Sequence, residues 1–196
     1  MKLKVISAVL VGCLALFNCS RPDEKETAVP KEKELSNAEL IARGKYLTTV
    51  SGCHDCHSPK IMTPEGPEPD PERLLSGHPK NEKLPDVVPT KDWVLFSKTL
   101  TASVGPWGAS YAANLTPHET GIGNWTYPQF ETAIRKGKYK GLEQGRSLLP
   151  PMPWQMFRHM TDVDLRSIFA YLKSIPPIDN LVPAPIAPDK LVSQTK

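Results

Sequence analysis

The stretch Ser51-Gly52-Cys53-His54-Asp55-Cys56-His57 decides how the rest of the chain is read. Two cysteines stand three positions apart and a histidine follows directly, a C-x-x-C-H pattern. At that spacing two thiols can reach the two vinyl groups of one porphyrin and form thioethers, while the adjacent imidazole turns toward the iron. The pattern is the attachment signature of c-type haem. Other readings of the same residues are weaker. A zinc site wants four ligands, usually with a second Cys or His pair at metal spacing, and no second C-x-x-C follows. A thioredoxin-like dithiol wants a βαβ setting, which the prolines that follow deny. A disulfide across two residues rarely sits directly before a histidine. The expectation is one haem c attached through Cys53 and Cys56, with His57 as an axial ligand of its iron.

The second axial ligand has several candidates downstream: Met62, Met152, Met156, Met160, His78, His118 and His159. Leu149-Pro150-Pro151-Met152-Pro153-Trp154 stands out. Prolines fix φ on both sides of the methionine, so the loop can present sulfur rigidly. Met156 and Met160 are at helical spacing, where packing is the plainer role, and Met62 has little chain with which to cross to the far face. Met152 is therefore expected as the ligand, and His/Met ligation raises the reduction potential over bis-histidine. Trp107, Asn114, Trp125, Arg146 and Trp154 are candidates for the haem pocket, with ordinary packing or solvation as the alternative for each.

Working outward, the chain has 196 residues, of which 21 are proline, against a usual share of about 5%. Hydrophobic residues make up 39% and aromatics 7%, so short elements joined by ordered proline-rich loops are expected rather than disorder. The formal net charge of +3 is too small for a nucleic-acid footprint. Ser36 with Glu39 predicts a capping box opening a helix that Ser51-Gly52 ends, with Leu40, Ile41, Tyr46, Leu47 and Val50 as its apolar face. Thr126 with Gln129 predicts a second helix over 127–136, stopped by Gly137, with Phe130, Ala133 and Ile134 inward. Thr161 caps a third over 162–174, with Leu165, Ile168, Phe169 and Leu172 inward. Prolines crowd 58–92, so little regular structure is expected there beyond a short strand or turn at Trp93–Phe96. Residues 101–124 read as an ordered loop and the tail 179–196 as aperiodic.

The N-terminus reads Met-Lys-Leu-Lys before an apolar run from Val5 to Phe17. This is the layout of a secretory signal, too short to span a bilayer comfortably. Leu16-Phe17-Asn18-Cys19 resembles a bacterial lipobox, with Leu10-Val11-Gly12-Cys13 as the competing one. Cys19 is favoured because the sequence turns polar directly after it. Residues 1–18 are expected to be a removed signal, and 19–35 a charged flexible tether. Only Cys53 and Cys56 are left in the folded body.

Taken together, these residues resemble class I-type monohaem c-type cytochromes. The likeness is strongest to the cytochrome domains of membrane-associated bacterial dehydrogenases, such as alcohol dehydrogenase cytochrome subunits. It covers about 36–178 and rests on Arg43-Gly44-Lys45-Tyr46-Leu47, Cys53–His57, Ala113-Asn114-Leu115-Thr116-Pro117, Gly121-Ile122-Gly123-Asn124-Trp125-Thr126, Pro151-Met152-Pro153 and Ala170-Tyr171-Leu172. The resemblance implies a mainly α fold in which the first and last helices cross beside the haem, with His57 proximal and Met152 distal. Such dehydrogenase subunits often carry several haem domains; this chain has one C-x-x-C-H and an insert at about 59–112.

The expected protein is an exported electron carrier, not itself an enzyme. It would sit at the periplasmic side of a bacterial membrane and be held by lipid, with the outer membrane favoured because Ser20 follows Cys19. Redox partners would be a dehydrogenase as donor and a cytochrome or oxidase as acceptor, with no nucleic acid. The rivals are a haem subunit of a dehydrogenase or peroxidase-type enzyme, a haem-based gas sensor, and a lipoprotein holding a structural metal.

Overall fold

A computed structural model describes residues 34–87 and 91–194. The expected signal, lipidation sites and most of the tether lie outside the described residues. Ser36 opens the first helix, α1 (Asn37–Val50), and its capping box closes in both directions. Glu39 N–H donates to Ser36 Oγ at 3.3 Å, and Ser36 N–H donates to the Glu39 carboxylate at 2.8 Å. Then come α2 (Cys53–His57), the strands β1 (Lys60–Thr63), β2 (Gly66–Pro69), β3 (Leu95–Phe96), β4 (Ala102–Gly105) and β5 (Gly108–Tyr111), and the helices α3 (Tyr127–Lys136), α4 (Trp154–Phe157), α5 (Asp162–Ser174) and α6 (Pro188–Gln194).

The helices α1, α3 and α5 match the three expected from their caps. Thr126 Oγ1 accepts from Gln129 N–H, but the second half of that box is missing. The Gln129 amide donates to the Lys140 carbonyl instead. The buried face of α1 also differs from expectation. Tyr46 and Val50 are exposed, and Gly44 and Thr48 are buried. The reason is close packing on α5. A Cβ on Gly44 would lie 1.9 Å from the Ser167 carbonyl oxygen and 2.7 Å from Tyr171 Cβ, so only glycine lets the two backbones meet here. Arg43 Nε donates to Asp164 Oδ1 at 2.8 Å across the same contact.

About a third of the described residues are helical, and small antiparallel sheets stand among the helices where the sequence led one to expect loops. Residues 60–69 form an antiparallel hairpin, with Lys60 opposite Pro69 and Met62 opposite Pro67. Two prolines sit in β2 because this two-stranded ribbon leaves an edge that needs no donor. Residues 102–111, expected as loop, are a second hairpin across Pro106-Trp107, with Gly105 opposite Gly108, and β3 pairs with β4 outside it. The tail is not aperiodic either. Ile186 and Ala109 exchange backbone hydrogen bonds of 2.9 and 3.0 Å along the free edge of β5, and α6 follows.

Two apolar clusters result. The larger joins Leu75, Ile122, Phe130, Leu165, Ile168 and Leu172, with Cys53, Trp125 and Tyr127 packed against it. The smaller joins Val104, Ala109 and Leu191, with Leu84, Val87 and Ile186 around it. Segments between 59 and 112 feed both, so the insert is built into the body.

Candidate functional site

Helix α2 consists of the Cys53–His57 motif and nothing else. Gly52, at φ 69°, turns the chain out of α1 and into it. Three positions on a helix share a face, so Cys53 and Cys56 point the same way. Both are free thiols. Burial pushes the Cys53 thiol up to about 11, and burial raises Cys56 as well. A thioether, unlike a thiolate, would bring no charge into that setting.

His57 is fixed at one nitrogen. Its Nδ1 lies 2.8 Å from the Ala113 carbonyl oxygen. A carbonyl only accepts, so Nδ1 carries the proton and Nε2 keeps its lone pair. Burial lowers the His57 pKa, against the opposing pull of that hydrogen bond, so the ring is neutral at pH 7 and ready to ligate. Second-contact hydrogen bonds of this kind set the orientation of ligating histidines.

The Ala113 carbonyl is itself held in place by residues from the expected insert. Gly77 N–H donates to the His57 carbonyl at 2.8 Å, His78 N–H to the Ala112 carbonyl at 2.9 Å, and Leu115 N–H to the Leu75 carbonyl at 2.8 Å. Leu75 N–H donates to Ser58 Oγ at 2.9 Å. Gly77 has φ 78°, and a Cβ there would lie 2.6 Å from the Ala112 carbonyl oxygen. Residues 75–78 therefore clamp the histidine end of the motif against 112–115. No sequence signal marked them, except a lone Ser76-Gly77 turn in a proline-rich stretch.

Asn114, expected near a cofactor, is spent on the protein. Its amide donates to Thr120 Oγ1, the Ile178 carbonyl and the Asn180 carbonyl. Its oxygen accepts from Thr116 N–H and Oγ1. This buried hub ties 114–116 to the chain after α5.

Met152 is half-buried in a loop tied to β5. Ser110 Oγ donates to the Pro150 carbonyl at 2.6 Å, and Trp107 Nε1 donates to Ser110 Oγ at 3.1 Å. Trp107 thus stands behind this loop. Met152 and Trp154 line a cavity of about 270 Å³ with Leu148, Gln155 and the three prolines Pro150, Pro151 and Pro153. The Trp154 ring packs on Gly137. Ser110 near the end of β5 and Ala113 just beyond it therefore reach both candidate ligands: Ser110 holds the methionine loop and Ala113 holds the histidine. They stand three positions apart, roughly 10 Å of extended chain.

The other sulfur and nitrogen candidates are placed less well. Met62 is 76% exposed and Met156 66% exposed. Met160 packs on the larger core. His78 is buried, with its ring nitrogens 2.9 Å from Thr101 Oγ1 and 3.1 Å from the Glu82 carbonyl. His118 Nδ1 lies 2.9 Å from Thr120 Oγ1, and His159 is exposed. Arg146 is exposed, its guanidinium 3.8 Å from the Tyr139 ring centroid. Trp125 packs on the larger core.

The residues fit a covalently held porphyrin on their own chemistry. Two free thiols share a face, one imidazole offers Nε2, and a soft thioether sits in a braced loop. The Tyr127 hydroxyl is buried without a hydrogen-bond partner in the same core, a donor free for an acceptor brought by a ligand. Among the described residues no group of three or more His, Cys, Asp or Glu converges to cage a bare metal ion.

No family model matches the chain. Curated relatives do. The gluconate 2-dehydrogenase cytochrome c subunit of Pantoea cypripedii is 28% identical over 78% of this chain. The fructose dehydrogenase cytochrome subunit of Gluconobacter japonicus is 30% identical over 71%. The cytochrome c subunit of the quinone alcohol dehydrogenase of Gluconobacter oxydans is 30% identical over 67%. The chain spans 28%, 22% and 20% of the length of these relatives. The homologues of this chain are thus cytochrome c subunits of bacterial dehydrogenases, and it is similar to one portion of each.

Proposed function

We propose that this chain is a monohaem c-type cytochrome that carries single electrons at the periplasmic face of a bacterial membrane. Cys53 and Cys56 hold the haem through thioethers, and His57 Nε2 and the Met152 sulfur are its axial ligands. The observation that carries the reading is His57: the motif's histidine is neutral, its proton is committed to the Ala113 carbonyl, and its second nitrogen is left to bind iron. Bound haem would supply a one-electron couple. The residues of the chain hold, orient and shield it, and the soft sulfur of Met152 favours the reduced state.

In this reading residues 1–18 are a signal, Cys19 (or Cys13) carries lipid, and 19–35 form a tether to a domain over 36–178. A tether raises the effective concentration of membrane partners. The dehydrogenase names of the relatives support a dehydrogenase as electron donor, with a cytochrome or oxidase as acceptor. They equally support a second form of the same role, as the haem subunit within a dehydrogenase complex. Stable co-purification with a dehydrogenase from native membranes would select that form; a chain recovered alone would select the free carrier.

The deciding experiment is a pyridine haemochrome spectrum of protein matured in a host that attaches haem c. One haem c per chain is expected, and absence of haem c overturns the reading. The far-red methionine–ferric band is expected in wild type and absent in Met152→Ala. Its persistence would reassign the ligand. Labelled fatty acid is expected to enter the wild type and not Cys19→Ser.

A further inference from the structure

Lys60 lies three residues beyond His57 and opens β1. Its ammonium donates to the carbonyls of His54 at 2.7 Å, Asp55 at 2.9 Å and Ser58 at 2.7 Å. An ammonium has three protons, and all three are used. The acceptors lie in and just after α2, a helix of five residues. A helix that short has almost no internal hydrogen bonds and is far below the length that holds itself together. Its last carbonyls have no partner within the helix. Here the Ser58 N–H and Gly77 N–H satisfy the carbonyls of His54 and His57, and Lys60 adds donors to those of His54, Asp55 and Ser58.

The cation also sits at the negative end of the helix dipole. Asp55 and Glu68 are the carboxylates that act on Lys60. Both are exposed to water, which screens them, while the ammonium is half-buried against backbone oxygens.

We propose that Lys60 is a positioning residue for the haem-attachment helix, a locked cation that holds α2 in shape and biases iron bound at His57 toward its reduced state. The proposal rests on the haem c reading above. The couple is one electron accepted from the donor protein, with no proton released at Lys60. Reduction lowers the positive charge at the metal, so a fixed cation nearby costs the reduced state less than the oxidised one.

The test uses the full chain as purified from the haem-attaching host, with the substitutions Lys60→Met, Lys60→Gln and Lys60→Arg. Amide hydrogen exchange over 53–58 and the midpoint potential are the two readouts. In Lys60→Met, exchange is expected to rise by about tenfold or more, the consequence of losing hydrogen bonds from a charged donor, and the potential to fall. Lys60→Arg should restore both, because it returns donors and charge. Lys60→Gln should restore part of the protection and none of the potential.

Unchanged exchange in Lys60→Met, or a potential at or above wild type, overturns the proposal. If Lys60→Met does not fold, Lys60→Gln below Lys60→Arg in potential supports it, and equality of the two overturns it. Failure of all three to fold means that fit rather than charge governs the position, which also overturns it. A wild type without haem c would sink the functional reading and with it the redox half of the proposal, while the exchange measurement would still decide whether Lys60 holds α2.

Discussion

In the proposed haem site His57 has two jobs that compete for one ring: it must be held still, and it must leave a nitrogen open. The Ala113 carbonyl resolves this by taking the Nδ1 proton. The carbonyl is aimed in turn by the close pass of Gly77, which at φ 78° adopts a conformation costly for other residues. Gly77→Ala should therefore cost about 1–3 kcal/mol through strain and the clash with 112–113. It should also lower the yield of attached haem. Thermal melting with haemochrome stoichiometry checks both; a normal yield would mean that His57 is held without the 75–78 clamp. The motif itself was plain in the chain at this scale. The clamp was not, because its donors are backbone groups, and a backbone N–H looks the same in every residue but proline.

Between elements, the contact of α1 with α5 fixes the frame. Gly44→Ala places a methyl against the Ser167 carbonyl and should destabilise by about 1–3 kcal/mol, the usual cost of overpacking. Asp164 gives this contact a pH dependence. Burial alone would raise its pKa, but hydrogen bonds from Thr161 and Arg43 outweigh burial and hold the carboxyl below its ordinary value. A depressed folded pKa contributes stability that is complete above the unfolded carboxyl value, about 3.9, and is lost as pH falls through the folded pKa. The melting-temperature gap between wild type and Asp164→Asn should thus be full at pH 6 and close on acidification toward pH 3. A gap independent of pH would remove Asp164 from the account. The caps of α1, α3 and α5 were legible in advance because capping is local chemistry. The buried face of α1 was misjudged because Tyr46 and Val50 are apolar, while the contact is made by Gly44 and Thr48.

Across the whole molecule, the smaller cluster braces the sheet that carries Ser110, the support of the Met152 loop. Leu191, 3% exposed, plugs it from α6. Leu191→Ala should cost about 2–5 kcal/mol. With Met152 as the proposed ligand, the methionine–iron band of this variant should fade on heating well before the haem is exposed, since β5 holds the Met152 loop through Ser110. Simultaneous loss of both signals would show that the loop does not depend on this cluster.

The helix starts were legible along the chain, as were the motif and the proline-fenced methionine on which the proposed haem site rests, since each depends on neighbouring residues: a hydroxyl three residues before its partner, two thiols beside a histidine, prolines around a sulfur. It took the folded chain to show that a proline-rich insert forms hairpins, that residues 75–78 grip the His57 end of the motif, and that Ser110 and Ala113 hold the Met152 loop and His57. Those arrangements are made by backbone hydrogen bonds between segments tens of residues apart, where side-chain identity leaves little trace.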